Sequence, residues 1–243
     1  MKRAISGLGI LFACAQAWAI TPGTHWSYSG ETGPSNWAKL TPEFAACAGK
    51  NQTPVDLSGR VDAELRPLKL DYAAGASKAV NLGHTVQVVY EPGSHLTLEG
   101  KDYALLQFHF HAPSENYVDG HSFPLEGHLV HADDQGNLAV LALMFKAGEA
   151  SPLLAKLWKK PPAQGVSQAI TPAADVTALL PQDRAYYRFS GSLTTPPCTE
   201  GVRWLVLKQP VIASSEQIEA LAEAVGHANN RPLQPLNSRV VLE

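Results

Sequence analysis

Gln107-Phe108-His109-Phe110-His111 places two imidazoles two residues apart, and His128 follows seventeen residues later inside Leu125-Glu126-Gly127-His128-Leu129-Val130-His131. In an extended strand alternate side chains share a face, so Gln107, His109 and His111 project one way and Phe108 and Phe110 the other. A neighbouring strand could bring a third imidazole beside the first two. Three neutral imidazoles with a fourth position open is the ligand number of a catalytic zinc site. Parity selects His128 over His131, because His128 shares a face with Glu126 and Val130 whereas His131 points to the other side. A ligating imidazole also needs an acceptor on its second nitrogen, and Gln107 and Glu126 stand two residues before His109 and His128.

Buried imidazoles without partners are costly, so four of them within apolar strands call for a metal or a polar network. One competing reading uses the same residues. His109-x-His111 with Glu115 matches the ligand spacing of cupins, small β-barrels that hold iron or manganese for oxygenase or isomerase chemistry. That pattern places a glycine six residues before the first histidine, where this chain has Tyr103, and its P-x-G element is absent around Pro124-Leu125-Glu126.

The elements that must hold these residues are mostly strands. Extended segments are expected at 68–70, 86–90, 95–98, 104–111, 126–131, 138–145, 186–190, 204–207 and 239–242. Leu138 to Phe145 is apolar on both parities, as in a central strand covered on both faces. Helices are few: Ser151 to Lys160, one beginning at Thr171-Pro172 and stopped by Pro181, and Ser214 to Val225. The last has Ser214 and Gln217 as a capping box, an apolar stripe of Ile218, Leu221, Ala222 and Val225, and Gly226 as its stop. Residues 20–50 read as an ordered wrap rich in Gly, Pro and aromatic residues. With no internal repeat or linker, the expected fold is one mainly β domain with peripheral helices.

The 243 residues can bury a large core, and the net charge of −3 is spread without a basic run, so nothing asks for nucleic acid. Met1-Lys2-Arg3, the apolar run Ala4 to Ala15 and Ala17-Trp18-Ala19 read as a signal peptide over residues 1–19, with a mature chain from Ile20. The run is too short for a permanent membrane span, and no later stretch reaches the ~20 apolar residues needed. Leu11-Phe12-Ala13-Cys14 leaves lipid anchoring as a lesser alternative. Removing the leader leaves Cys47 and Cys198, an even pair that favours a disulfide in an oxidising compartment over two separate buried thiols.

Taken together, Gln107-Phe108-His109-Phe110-His111, Pro113-Ser114-Glu115, Glu126 to His131 and Gly191-Ser192-Leu193-Thr194-Thr195-Pro196-Pro197 closely resemble the motifs of α-class carbonic anhydrases, particularly exported bacterial ones. The resemblance runs from His25-Trp26-Ser27-Tyr28 to Asn229-Asn230-Arg231-Pro232. It implies a large twisted, mostly antiparallel sheet with zinc at the base of a conical cleft, held by His109, His111 and His128, and hydration of CO2 to bicarbonate by zinc-bound hydroxide. Gln107 and Glu126 would orient ligands. Thr194 would be the gatekeeper threonine, aimed by Glu115, with Thr195 against bicarbonate. Val130, Val140, Leu193, Val202 and Trp204 would form the apolar wall for CO2. His84 would shuttle protons, with Tyr28 and Gln87 organising the waters between. Cys47 and Cys198 match the disulfide of exported bacterial members, and the chain would act as a monomer or homodimer. Leu82, Gln87 and Asn116 depart from common family choices, the first two beside the proton path and the third beside Glu115. Some relatives have lost a metal ligand and act only as binding domains; here the ligand set is complete.

Overall fold

The computed structural model describes residues 24–243, so the expected leader over residues 1–19 lies outside the described residues. Short helical turns open the described chain: a 3-10 turn at Gly30–Thr32, α1 (Trp37–Leu40) and a 3-10 segment at Pro42–Ala48. The strands follow: β1 (Lys69–Asp71), β2 (Ala76–Asn81), β3 (Val86–Tyr90), β4 (His95–Leu98), β5 (Lys101–His111), β6 (Leu125–Ala132) and β7 (Leu138–Ala147). After α2 (Pro152–Leu157) come β8 (Ser167–Ala174), β9 (Tyr186–Ser192), β10 (Glu200–Leu207), β11 (Val211–Ala213) and α3 (Ser215–Val225). Among the described residues all 11 strands join one sheet, whose main path runs β8-β2-β3-β5-β6-β7-β10-β9. Pairing is antiparallel except where β7 meets β10 and β11.

The central position expected for residues 138–145 is borne out: each of them is buried. Ala139, Leu141, Leu143 and Phe145 pack into a large core on one face with Phe108, Phe110, Leu129 and the apolar residues of α2 and α3. Leu138, Val140, Ala142 and Met144 pack into a second cluster on the other face with Val130, Val202 and Trp204. The α3 caps are also as expected. Ser214 and Gln217 close the capping box, and Gly226 ends the helix at φ 79°, a left-handed conformation that glycine adopts without penalty.

Three expectations are corrected. No helix starts at Thr171-Pro172: residues 167–174 form β8, an edge strand paired with β2, and only the 3-10 turn Val176–Leu179 follows. On an edge, Pro172 need not donate to a ladder. Arg239–Leu242 does not form a strand; Leu242 makes only isolated bridges to Val61 and Arg188. Ala76–Asn81, missed in the sequence, is a paired strand, since its alanines, serine and lysine carry little strand signal but meet β3 and β8 on both sides. Among the described residues no helix is long and apolar enough to cross a membrane.

Candidate metal centre

The strand that presents the histidines changes face partway along. Tyr103 and Leu105 belong to the same core as Phe108 and Phe110, although simple alternation would put these pairs on opposite sides. The β5–β6 register shifts between Leu105 and Gln107, leaving Leu106 as the extra residue of a bulge. Beyond it Gln107, His109 and His111 turn away from that core. His109 lies directly opposite His128 on β6, and Leu105 lies opposite His131.

The parity choice between His128 and His131 therefore holds. His131 is fully buried on the far side, 2.7 Å from the Tyr72 hydroxyl through Nε2 and 3.3 Å from the Ala139 carbonyl through Nδ1. Burial pushes its pKa down to about 4. His109, His111 and His128 instead face one another, with ring centroids 4.6 to 5.3 Å apart. One nitrogen from each lies within 4.8 Å of the other two, close enough for one ion to draw on all three.

Each ring is fixed from behind. His109 Nδ1 donates to Gln107 Oε1 at 2.9 Å, and His128 Nε2 faces Glu126 Oε1 at 2.9 Å. His111 Nδ1 donates to the backbone carbonyl of Asn229 at 2.7 Å. By elimination Nε2 of His109, Nε2 of His111 and Nδ1 of His128 are the nitrogens left to ligate. Burial, reinforced by mutual repulsion, holds His109 and His128 well below the usual imidazole range, and burial lowers His111 as well. The rings are thus in the neutral form that metals need. Among the described residues His111 Nε2 is buried with no hydrogen-bond partner, as a ligand nitrogen should be; His128 Nε2 also makes no hydrogen bond, although Glu126 Oε1 lies 2.9 Å from it.

Glu126 is wholly buried and acts as a hub. It accepts at 2.8 Å from the backbone N–H of Glu115, from that of Asn116 and from the Asn116 side-chain amide. The hydrogen bond near Glu115 that Asn116 is expected to affect is thus its pairing with Glu126, and the Asn116 Oδ1 accepts from Val55 N–H. Glu115 sits in front of the histidines: Oε2 is 3.5 Å from His111 Nε2 and 4.0 Å from His128 Nδ1, while Oε1 accepts from Arg231 N–H at 2.9 Å. Burial raises its pKa to about 8 against the lowering effect of Arg231 N–H and of the Thr194 hydroxyl. A dication held by the three imidazoles would favour the charged carboxylate.

Thr194 and Thr195 lie in the loop between β9 and β10. Leu193 N–H bonds to the Thr199 carbonyl and Cys198 N–H to the Thr195 carbonyl. Cys198, toward the end of this loop, forms a disulfide with Cys47, their Cα atoms 4.9 Å apart. Beside it Thr53 and Ser192 exchange bonds, Thr53 N–H to Ser192 Oγ and Ser192 N–H to Thr53 Oγ1. Gly191 permits that approach, since a Cβ there would stand 2.0 Å from Thr53 Oγ1. Val130, Val140, Val202 and Trp204 lie together in the second cluster with Leu193 packed against it, and the Trp204 ring is 4.9 Å from that of His128. The apolar wall adjoins the ligands.

His84 is half-buried, its ring 4.9 Å from Trp26, and its carbonyl accepts from the Asn229 amide. Gln87 sits on β3 opposite His109. The Tyr28 hydroxyl is buried without a protein partner, and burial first, then the Glu115 charge, keeps it protonated. Two positions escaped sequence reasoning. Asn229 supplies the acceptor for His111, and Arg231 carries Glu115 while its guanidinium bonds Gln52, Thr53 and Cys47 and lies over Trp37. The available signal was an imbalance: parity had found acceptors for His109 and His128 but none for His111.

Fold and site together define a mainly β protein with three imidazoles placed so that they could hold one metal ion. Residues 32–243 match the family model for eukaryotic-type carbonic anhydrases. A carbonic anhydrase of Pectobacterium carotovorum is 50% identical over the full length of both chains. The α-carbonic anhydrase of Thermovibrio ammonificans, solved with the inhibitor sulfanilamide, superposes with a TM-score of 0.89 at 48% identity, covering 91% of this chain and 100% of that one. Dioscorin dioA3 of Dioscorea japonica is 37% identical over 86% of this chain and 81% of its own. The chain belongs to the carbonic anhydrase family of the α, or eukaryotic, type.

Proposed function

We propose that the chain is a zinc-dependent carbonic anhydrase catalysing the reversible hydration of CO2 to bicarbonate and a proton. The observation that carries this reading is the complete donor set: three neutral imidazoles, each with an acceptor beside its second nitrogen, with Glu115 and an apolar wall in front of them. Zinc, when bound there, acidifies a coordinated water toward neutrality and supplies the nucleophile.

The protein's own residues do the rest. Glu115, anchored by Arg231 N–H, takes the Thr194 proton as a hydrogen bond, so that the Thr194 oxygen offers only a lone pair toward the nucleophile and fixes its direction. Val130, Val140, Leu193, Val202 and Trp204 hold CO2, which has no donor or charge to grip, and Thr195 contacts the bicarbonate product. His84 accepts the proton released at each turnover, with Tyr28 and Gln87 flanking its path. An open nucleophile of this kind would also cleave activated esters as a side activity.

Each chain carries a whole site within one domain over residues 20–243, so a monomer or homodimer suffices. The disulfide supports an exported, periplasmic location, with lipid anchoring or secretion as alternatives. Purified protein should bind one zinc and hydrate CO2 in stopped-flow assays, with chelation abolishing activity, zinc restoring it and a sulfonamide inhibiting it. One tightly bound zinc with no hydration above buffer would leave a binding module instead.

A further inference from the structure

A second imidazole closes the aromatic run that begins at His84. The rings of His84 and Trp26 are 4.9 Å apart, those of Trp26 and Tyr28 5.5 Å, and those of Tyr28 and His227 5.9 Å, forming one continuous run. His84 is tied to the segment that follows His227. Asn229 donates its side-chain amide to the His84 carbonyl and to Phe110 O, receives Ala112 N–H on Oδ1, and lies two positions after His227. Gly226, at the left-handed stop of α3, turns the chain so that His227 starts this clamped segment.

His227 is exposed. Its Nδ1 lies 3.0 Å from the Ala228 carbonyl, which can only accept, so Nδ1 carries the proton and Nε2 keeps its lone pair. We propose that His227 is the outer member of a two-histidine relay, receiving on Nε2 the proton that His84 takes from the metal centre and passing it to bulk base. The N–H bond of protonated His84 breaks as the Nε2–H bond of His227 forms, through intervening solvent, and one proton leaves per CO2 hydrated. This rests on the hydrase reading above.

His84 alone is poorly suited to holding a proton long enough to meet dilute buffer. Burial above all depresses its pKa to about 4, and a charge on His227 adds to the effect. The titratable groups around the pair are Tyr28, which stays neutral, and His111, with Glu115 and Arg231 on the inner side of Tyr28. A charged His227 disfavours a charged His84, so the two rings hold the proton in turn.

The test compares zinc-loaded wild type with His84→Ala, His227→Ala, His227→Gln and the double alanine variant, with His121→Ala as an exposed control. Removing His227 should lower kcat roughly three- to tenfold in dilute, bulky buffer, leave kcat/KM unchanged and be offset by added imidazole. The double variant should be no slower than His84→Ala, as for steps in series. Independently of activity, histidine NMR titration of the His227→Ala protein should show the His84 midpoint moving up. Unchanged kcat in both His227 variants of an active enzyme, or losses that multiply in the double variant, would overturn the relay alone. A wild type that does not hydrate CO2 overturns the hydrase reading and the relay with it.

Discussion

The ligand nitrogens depend on what stands behind them. Glu126 has no solvent contact and gathers three hydrogen bonds while facing His128, so Glu126→Ala should weaken zinc about 10- to 100-fold, read by competition with a chromogenic chelator. In front of the metal, Thr194→Ala and Glu115→Gln should each keep zinc yet lose roughly 100-fold in kcat/KM for CO2, because the direction of the nucleophile is no longer fixed. Loss of zinc in either variant would instead make Glu115 and Thr194 part of the binding shell. Gln107 and Glu126 were legible because strand parity places them beside their histidines. The third anchor is a main-chain carbonyl 118 residues away from His111, and a carbonyl has no side-chain identity to read.

Among the elements, β5 decides the site. Two-residue alternation correctly grouped Gln107 with His109 and His111, but it carries no sign of the bulge at Leu106 that turns this group away from Tyr103 and Leu105. Deleting Leu106 should rotate every ligand on one side of it into the wrong face and abolish zinc binding, whereas Leu106→Ala keeps the spacing and should retain it. Strands rich in large apolar residues, such as β6 and β7, were visible in the sequence; β2 and β8 were not, since pairing rather than composition makes them strands. On the far face His131 ties β6 to Tyr72. Its pKa falls from an ordinary 6.5 to about 4 on folding, so the unfolded chain binds more protons between those values. Its contribution is complete above about pH 6.5 and disappears as pH falls toward 4, by roughly 3 kcal/mol as an upper order of magnitude. Thermal unfolding followed from pH 7 to 4.5 should show a steep decline that His131→Gln flattens.

Across the whole molecule, distant stretches of chain converge behind the three histidines. The disulfide joins residues 151 positions apart, and Gln52 bonds both the Cys198 carbonyl and the Arg231 guanidinium. Closing so long a loop stabilises the fold by about 5 kcal/mol in the chain-entropy model. Reduction should therefore lower the melting temperature by several degrees and reduce CO2 hydration before global unfolding, with reoxidation restoring both; unchanged activity in fully reduced protein would show that the Thr194 loop holds without it. Cys47 and Cys198 were recognisable as a pair, but the Arg231 bracket between them and Glu115 was not, because its partners are 178 to 184 residues away. The Asn229–Arg231 segment also sets an order of events in assembling the site. His111 gains its anchor, Glu115 its backbone donor and His84 its tether only from this segment. A chain in which that stretch has not yet docked has its three facing histidines but not the cradle that holds them, so tight capture of a metal waits for this segment to close over the sheet.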